Sequence, residues 1–118
     1  MDPIDLADLH EGVRLFNEGK FWHAHEAWEQ VWRRKKGCCD DFFKGMIQAA
    51  AAFHKMGEGA VKGMRIHLDR SITRLTFCPP AFLGIDVAAF VRELERCRNE
   101  IEWKELPVQE APKVNRST

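Results

Sequence analysis

The chain of 118 residues and 13.7 kDa has the length of one domain, and a chain of this length can bury an ordinary apolar core without a metal or a disulfide. Its 18 basic and 18 acidic side chains balance, which argues against a general nucleic-acid binder, and its 45% hydrophobic content excludes a disordered chain. No segment has the roughly 20 apolar residues of a membrane span, and the acidic start at Met1-Asp2-Pro3 is unlike a signal peptide, so we expect a cytoplasmic protein.

Apolar residues recur at steps of three and four residues along most of the chain, a spacing that is typical of helices. Glycines and a Pro-Pro pair divide this pattern into segments. The predicted helices cover about residues 4–18, 21–36, 40–56, 60–77 and 86–103. Asp40 or Asp41 is expected to cap the third helix and Asp86 the fifth. We therefore predict an all-α domain over residues 1–106, followed by a flexible tail over residues 107–118.

A weak internal echo indicates that the helices form pairs. The stretch from Phe16 to Gly19 resembles the stretch from Phe53 to Gly57, as in loosely repeated tetratricopeptide-like hairpins. We predict a compact bundle of about five helices, in which two antiparallel helical hairpins pack together and the last helix closes the bundle.

Unusual polar residues lie on the apolar faces of the predicted helices. On the second helix His25 falls in one stripe with Phe21 and Trp28, and Glu29 follows one turn later. His54 likewise falls within the apolar stripe of the third helix. Our candidate site consists of six polar residues: Asn17, His25, Glu26, Glu29, Gln48 and His54. No catalytic residue can be assigned among them.

Three interpretations of this polar cluster stay open at this point. The first is a buried network of hydrogen bonds among His, Glu, Asn and Gln, which would set the register of the helices. The second is a divalent metal held by His25, Glu29 and His54, and the third is a site for a small ligand or a partner. We expect no resident metal or other cofactor, because the usual metal-binding motifs of helices are incomplete here.

Three tryptophans on the second helix, Trp22, Trp28 and Trp32, exceed what a small core readily covers. Trp22 and Trp32 are therefore our candidates for a protein interface, either in a homo-oligomer or with another protein. The basic residues 33–36 are expected to form a solvated helix end.

Two motifs carry a family resemblance. Residues 16–32 read FNxGxFxxAHExxExxW and residues 43–54 read FxGMIQxAAxxH. Together they resemble the signature of the prokaryotic domain-of-unknown-function family number 309. The resemblance implies a small all-helical protein without an established activity. It places Trp32 and the six candidate-site residues at signature positions but supplies no role for them.

Two hypotheses for the function follow. We favour a helical module that acts through protein contacts, above all self-association, with the polar cluster as a network inside it. The alternative is a metal-dependent enzyme or a metal- or ligand-binding protein that uses His25, Glu29 and His54. In that case a histidine would ligate the metal or act as a general base, and the glutamate would orient it.

Overall fold

A computed structural model describes residues 1–37, 39–101 and 111–117 of the chain. Its helices are α1 (Pro3–Asn17), α2 (Phe21–Arg34), α3 (Asp40–Gly57), α4 (Val61–Thr76) and α5 (Val87–Ile101). A short antiparallel pair, β1 (Ala81–Phe82) and β2 (Ile85–Asp86), lies between α4 and α5. The predicted all-α bundle of five helices is confirmed. Strands of two residues are too short to show an alternating pattern in the sequence.

Two of the helix starts have side-chain caps. The Asp2 carboxylate accepts a hydrogen bond of 2.9 Å from the amide of Asp5, and Asp86 accepts one of 3.0 Å from Ala89. The predicted cap at Asp86 is thus confirmed. The prediction for α3 is wrong, because its cap residue is Cys39 in a left-handed conformation and both aspartates lie inside the first turn. There they face the positive end of the helix dipole. Trp103, the predicted end of the last helix, lies outside the described residues.

The turns of the two hairpins close in the same way. Gly19 and Gly59 both have positive φ angles, and each donates its amide proton to a carbonyl three residues earlier. The following amides, of Lys20 and Ala60, each donate to a carbonyl five residues earlier at 2.9 Å. These are the two bonds of a Schellman ending, which needs a left-handed residue. In the weak internal repeat, Gly19 therefore corresponds to Gly59. The sequence alone had aligned it with Gly57.

The helices pack in chain order, α1 on α2, α2 on α3, α3 on α4 and α4 on α5. Two glycines allow the closest approaches within the hairpins. A Cβ atom at Gly12 would lie 2.3 Å from Nε1 of Trp28, and one at Gly45 would lie 2.5 Å from Cγ of Leu75. Ser71 adds a buried hydrogen bond of 2.7 Å to the Gly45 carbonyl. Small residues at these positions thus bring each helix pair into contact.

Aromatic rings from four helices form the centre of the core. Phe16 contacts Phe21, Trp28, Phe53 and Phe90, with ring centroids 5.0–5.9 Å apart. Among the residues that the helical pattern predicts to be core, Ile47 is only partly covered and the others are buried, namely Leu9, Phe16, Phe21, Trp28, Ala50, Phe53, Leu68 and Leu75. Within the described ranges, none of the helices combines the length and the apolar character needed to cross a bilayer.

The segment 111–117 packs against the bundle, unlike the flexible tail that the sequence predicted. Ala111 and Val114 are buried, and Arg116 forms an antiparallel bridge with Ile85 of β2. The amide of Asp86 donates to the carbonyl of Asn115 at 2.9 Å. The segment has no helical period, but its backbone pairs with a strand edge, and the sequence pattern does not report such pairing. Residues 107–110 of the predicted tail lie outside the described residues.

Candidate functional site

Trp22, an interface candidate in the first turn of α2, lies next to two residues of the candidate site. Its indole ring is 48% exposed and lies parallel to the imidazole of His25, with centroids 4.7 Å apart and 7° between the planes. The ring of His54, from the last turn of α3, lies 5.2 Å from the same indole. The structure thus brings the two predicted histidines together through contact with one tryptophan.

A chain of polar contacts continues from His25 along α2. Its Nε2 atom lies 3.5 Å from a carboxylate oxygen of Glu29, and Glu29 also pairs with Arg33. Both side chains of the first pair are mostly covered, at 18% and 27% exposure. The second ring nitrogen of His25, Nδ1, is buried and has no hydrogen-bond partner among the described residues. Helical spacing of four residues places these three side chains on one stripe.

Glu26 points to solvent next to this stripe. Its carboxylate lies 3.7 Å from Nδ1 of His23, and both side chains are more than half exposed. A surface depression of about 240 Å³ extends along this side of α2, and its lining residues are Trp22, His25, Glu26, Glu29, Gln30 and Arg33. The outer side of α2 therefore combines one large aromatic ring with charges of both signs.

His54 has a separate carboxylate partner. Its Nε2 lies 3.7 Å from Glu58, one turn later, and the imidazole is 37% exposed. The spacing of four residues was visible in the sequence, but the predicted helix ended at Met56 and so excluded Glu58. The pair is local to α3 and does not reach Glu29.

Gln48 forms its contact with α4 and not with α2. Its side-chain oxygen lies 2.5 Å from Nδ1 of His67, a histidine that we did not include in the candidate site. Burial lowers the pKa of His67 below 6.5, and the positive charges of Arg70, Lys55 and His25 lower it further. His67 therefore favours its neutral form, in which Nδ1–H can donate to the Gln48 oxygen.

Asn17 serves the C-terminal segment. Its amide group donates to the carbonyl of Val114 at 3.0 Å and accepts from the amide of the same residue at 2.8 Å. This pair of bonds satisfies both backbone groups of Val114, whose side chain is buried. The signature asparagine thus connects the end of α1 with residues far along the chain.

Trp32, the second interface candidate, is largely engaged within the chain. Its indole nitrogen donates a hydrogen bond of 3.0 Å to Asp40, which links α2 to the start of α3. The ammonium groups of Lys36 and Lys44 lie 5.5 and 5.7 Å from the ring centroid. Trp22 therefore has more surface available for a partner than Trp32 has.

The candidate polar residues thus form separate pairs in different parts of the bundle. His25 pairs with Glu29, His54 with Glu58, Gln48 with His67 and Asn17 with Val114. In the part of the chain that the structure describes, no three His, Cys, Asp or Glu side chains lie close enough to hold a metal ion. Chemically, the arrangement offers an exposed indole held between imidazole rings, next to a carboxylate and a guanidinium group.

A buried carboxylate was missed by the sequence analysis. Asp5 is 2% exposed, and its oxygens lie 2.8 Å from Arg34 and 3.3 Å from Lys35. The hydrogen bond to Asp5 is the main reason that the pKa values of both cations are raised. Arg34 and Lys35 belong to the basic end of α2, which was expected to be solvated. They therefore connect this end of α2 to α1 through Asp5. The acidic residues Asp2, at the cap of α1, and Asp5 and Asp8, within it, were the available signal.

Comparison with known proteins agrees with the resemblance in the two motifs. Residues 9–67 match the family described as "Domain of unknown function (DUF309)". The chain is also similar to an "Uncharacterized protein" of Aquifex aeolicus (strain VF5), at 30% identity over 92 residues. That alignment covers 74% of this chain and 26% of the relative. The chain therefore matches about a quarter of the length of this relative.

Proposed function

The chain belongs to the family described as Domain of unknown function (DUF309), and we propose that it is a cytoplasmic helical module that acts through protein contacts, above all by self-association. One observation carries the proposal. Trp22 leaves 48% of its surface exposed while most other large aromatic rings of the described chain are buried. A half-exposed indole is typical of an interface anchor, since tryptophan is enriched among the residues that dominate binding energy.

The contacts of Trp22 favour this role further. The rings of His25 and His54 lie against the indole and limit its rotation. A side chain that is already ordered loses less entropy when a partner binds, so more of its contact energy appears as affinity. Two other signature residues stabilise the fold that supports this surface: Gln48 contacts His67, and Asn17 contacts Val114.

The charge of the chain is compatible with a second copy as the partner. Because the 18 basic and 18 acidic side chains balance, two copies approach without net repulsion. Glu26 and Arg33 supply both signs on the outer side of α2, so the same surface can meet an identical or a related one. Self-association also needs no other molecule.

The test compares the mass in solution of three proteins by light scattering and sedimentation over micromolar concentrations. We expect the unaltered chain to exceed the 13.7 kDa of a monomer, and Trp22→Ala to shift the distribution to the monomer. Phe77→Ala is the matched control, since Phe77 is an exposed aromatic residue that is 75% accessible and lies at the end of α4. It should leave the mass distribution unchanged.

A clean monomer of the unaltered chain throughout this concentration range would refute self-association. If Trp22→Ala and Phe77→Ala weaken association equally, exposed apolar area in general, and not this tryptophan, drives association. Circular dichroism of each variant checks that the helices are retained.

A further inference from the structure

A second surface, on α4, has the complementary character to the surface around Trp22. A depression of about 510 Å³ lies along the outer side of this helix, lined by Val61, Lys62, Arg65, Ile66 and Asp69. Val61 and Ile66 are 36% and 43% exposed, so this side of α4 presents two aliphatic side chains to solvent. The other side of α4 packs into the core. Asp69, which also lines the depression, pairs with Arg98 of α5, whereas Val61 and Ile66 stay exposed.

Size and charge fit this depression to the region of Trp22. An indole ring that packs on this open depression would cover the two aliphatic side chains, which removes apolar surface on both sides from water. Lys62 is one of the residues that line the depression, and Glu26 lies one turn beyond Trp22. A surface with a tryptophan and a carboxylate is thus complementary to a surface with an apolar depression and an ammonium group.

The two surfaces lie at the same end of the bundle. Trp22 is in the first turn of α2, directly after the turn at Gly19, and Val61 begins α4, directly after the turn at Gly59. The indole also contacts His54 in the last turn before that second turn. In a two-fold dimer, a contact from α2 to α4 of the other copy is repeated in the opposite direction. Neighbouring surfaces at one end allow both contacts to form at once.

We infer that Trp22 of one copy packs on the α4 depression of a second copy, with Glu26 opposite Lys62, and that two such contacts related by two-fold symmetry form the dimer. The inference rests on the proposed self-association and names the surface that Trp22 contacts. It also explains why Val61 and Ile66 stay exposed within a single chain.

The first experiment mixes two full-length variants, each of which lacks one side of the contact. Trp22→Ala keeps the α4 depression, and Ile66→Asp keeps Trp22. Each variant alone should dimerise about tenfold or more weakly than the unaltered chain, because neither contact is complete. In a mixture, one complete contact can form between the two variants. Labelled copies should therefore show heterodimers by native mass spectrometry or energy transfer, at an affinity between those of the variants and the unaltered chain. Val61→Asp should replace Ile66→Asp with the same result.

The second experiment exchanges charges. Glu26→Lys and Lys62→Glu should each weaken dimerisation, since each places like charges together, and both changes in one chain should restore most of the loss. Glu95→Lys combined with Lys113→Glu is the control, because both residues are exposed and neither lines either depression. These changes should have no effect singly or together.

The outcomes separate this inference from the proposal on which it rests. If Trp22→Ala abolishes association but Ile66→Asp and Val61→Asp leave it intact, Trp22 contacts another surface, and the inference is wrong while self-association stands. If heterodimers do not form in the mixture, or the double charge exchange restores nothing, the pairing of these two surfaces is likewise refuted. If the unaltered chain associates and none of the variants changes its mass in solution, Trp22 is not the interface anchor and the inference fails, although self-association stands.

Discussion

The indole nitrogen of Trp28 donates a hydrogen bond of 2.9 Å to the backbone carbonyl of Leu9, and both residues are fully buried. The bond joins α2 to the middle of α1, because Leu9 lies inside that helix. Its donor ring fills the space left by Gly12. Trp28 and Trp22 lie less than two turns apart on α2 but have opposite surroundings, and this difference leads to the first prediction.

Trp28→Ala should lower the free energy of unfolding by about 3–5 kcal/mol, because it creates a cavity among the core aromatic rings and removes the bond to Leu9. Trp22→Ala should change it by less than about 1 kcal/mol, since that ring is half exposed. Urea unfolding of both variants, in conditions where the protein is monomeric, measures the two values. Equal losses would contradict the different roles that we give the two tryptophans.

Gly45→Ala should destabilise the chain by about 1–3 kcal/mol, because the new methyl group would overlap the Leu75 side chain and push α4 away from α3. Thermal or urea unfolding gives the measurement. Gly57→Ala is the matched control, since a Cβ atom there meets nothing within 4 Å and Gly57 lies within α3. This control should be neutral or stabilising by up to about 1 kcal/mol. A neutral Gly45→Ala would argue against the close approach of the two helices.

Asn17→Ala should lower the free energy of unfolding by about 1–3 kcal/mol, because it leaves the amide and carbonyl groups of Val114 without their partner. Amide hydrogen exchange should also become faster in the segment 111–117. Asn99→Ala, at an exposed position of α5, is the control and should affect neither quantity. Unchanged exchange in the segment would mean that Asn17 does not hold it in place.

The stability of the chain should fall as the pH drops below about 6.5, in part because of His67. Burial holds the pKa of His67 in the folded state below 6.5, so the unfolded chain binds more protons in the window between the two pKa values. Stability is therefore highest above this window and decreases as the pH falls through it.

His67→Gln removes this titration and should make the pH dependence of unfolding shallower. His23→Gln is the control, because that imidazole is 68% exposed, and it should leave the slope unchanged. Urea unfolding at a series of pH values between 5 and 8 compares the three chains. If nuclear magnetic resonance gives a pKa at or above 6.5 for the His67 ring, burial does not lower this pKa.

Removal of metals should leave the melting temperature unchanged. The rings of His25 and His54 contact Trp22, and each pairs with a different carboxylate, so the described residues offer no set of three ligands whose binding could stabilise the fold. Melting curves with a chelator and with added zinc or manganese check this expectation. About one equivalent of co-purified metal, with a lower melting temperature after chelation, would instead support the alternative of a metal-binding protein.

Local sequence patterns determined most of the fold. The apolar steps of three and four residues placed all five helices within a few residues of their bounds, because the side chains that a helix buries must repeat with the helical period. Gly19 and Asp86 marked an end and a start for similar reasons, since a left-handed turn and a helix cap each depend on one residue and its neighbours. The burial of Trp28 could likewise be predicted from its place on the apolar stripe.

The partners of the polar residues were decided only by the tertiary structure. Asn17 binds Val114 and Gln48 binds His67, although the sequence grouped Asn17 and Gln48 with His25. Such contacts depend on how each helix rotates about its axis and on which distant segment lies against it. A helical period fixes which residues share a face but not what that face meets. For the same reason, the packed segment 111–117 and the ring contacts of Trp22 became visible only when separate parts of the chain were brought together.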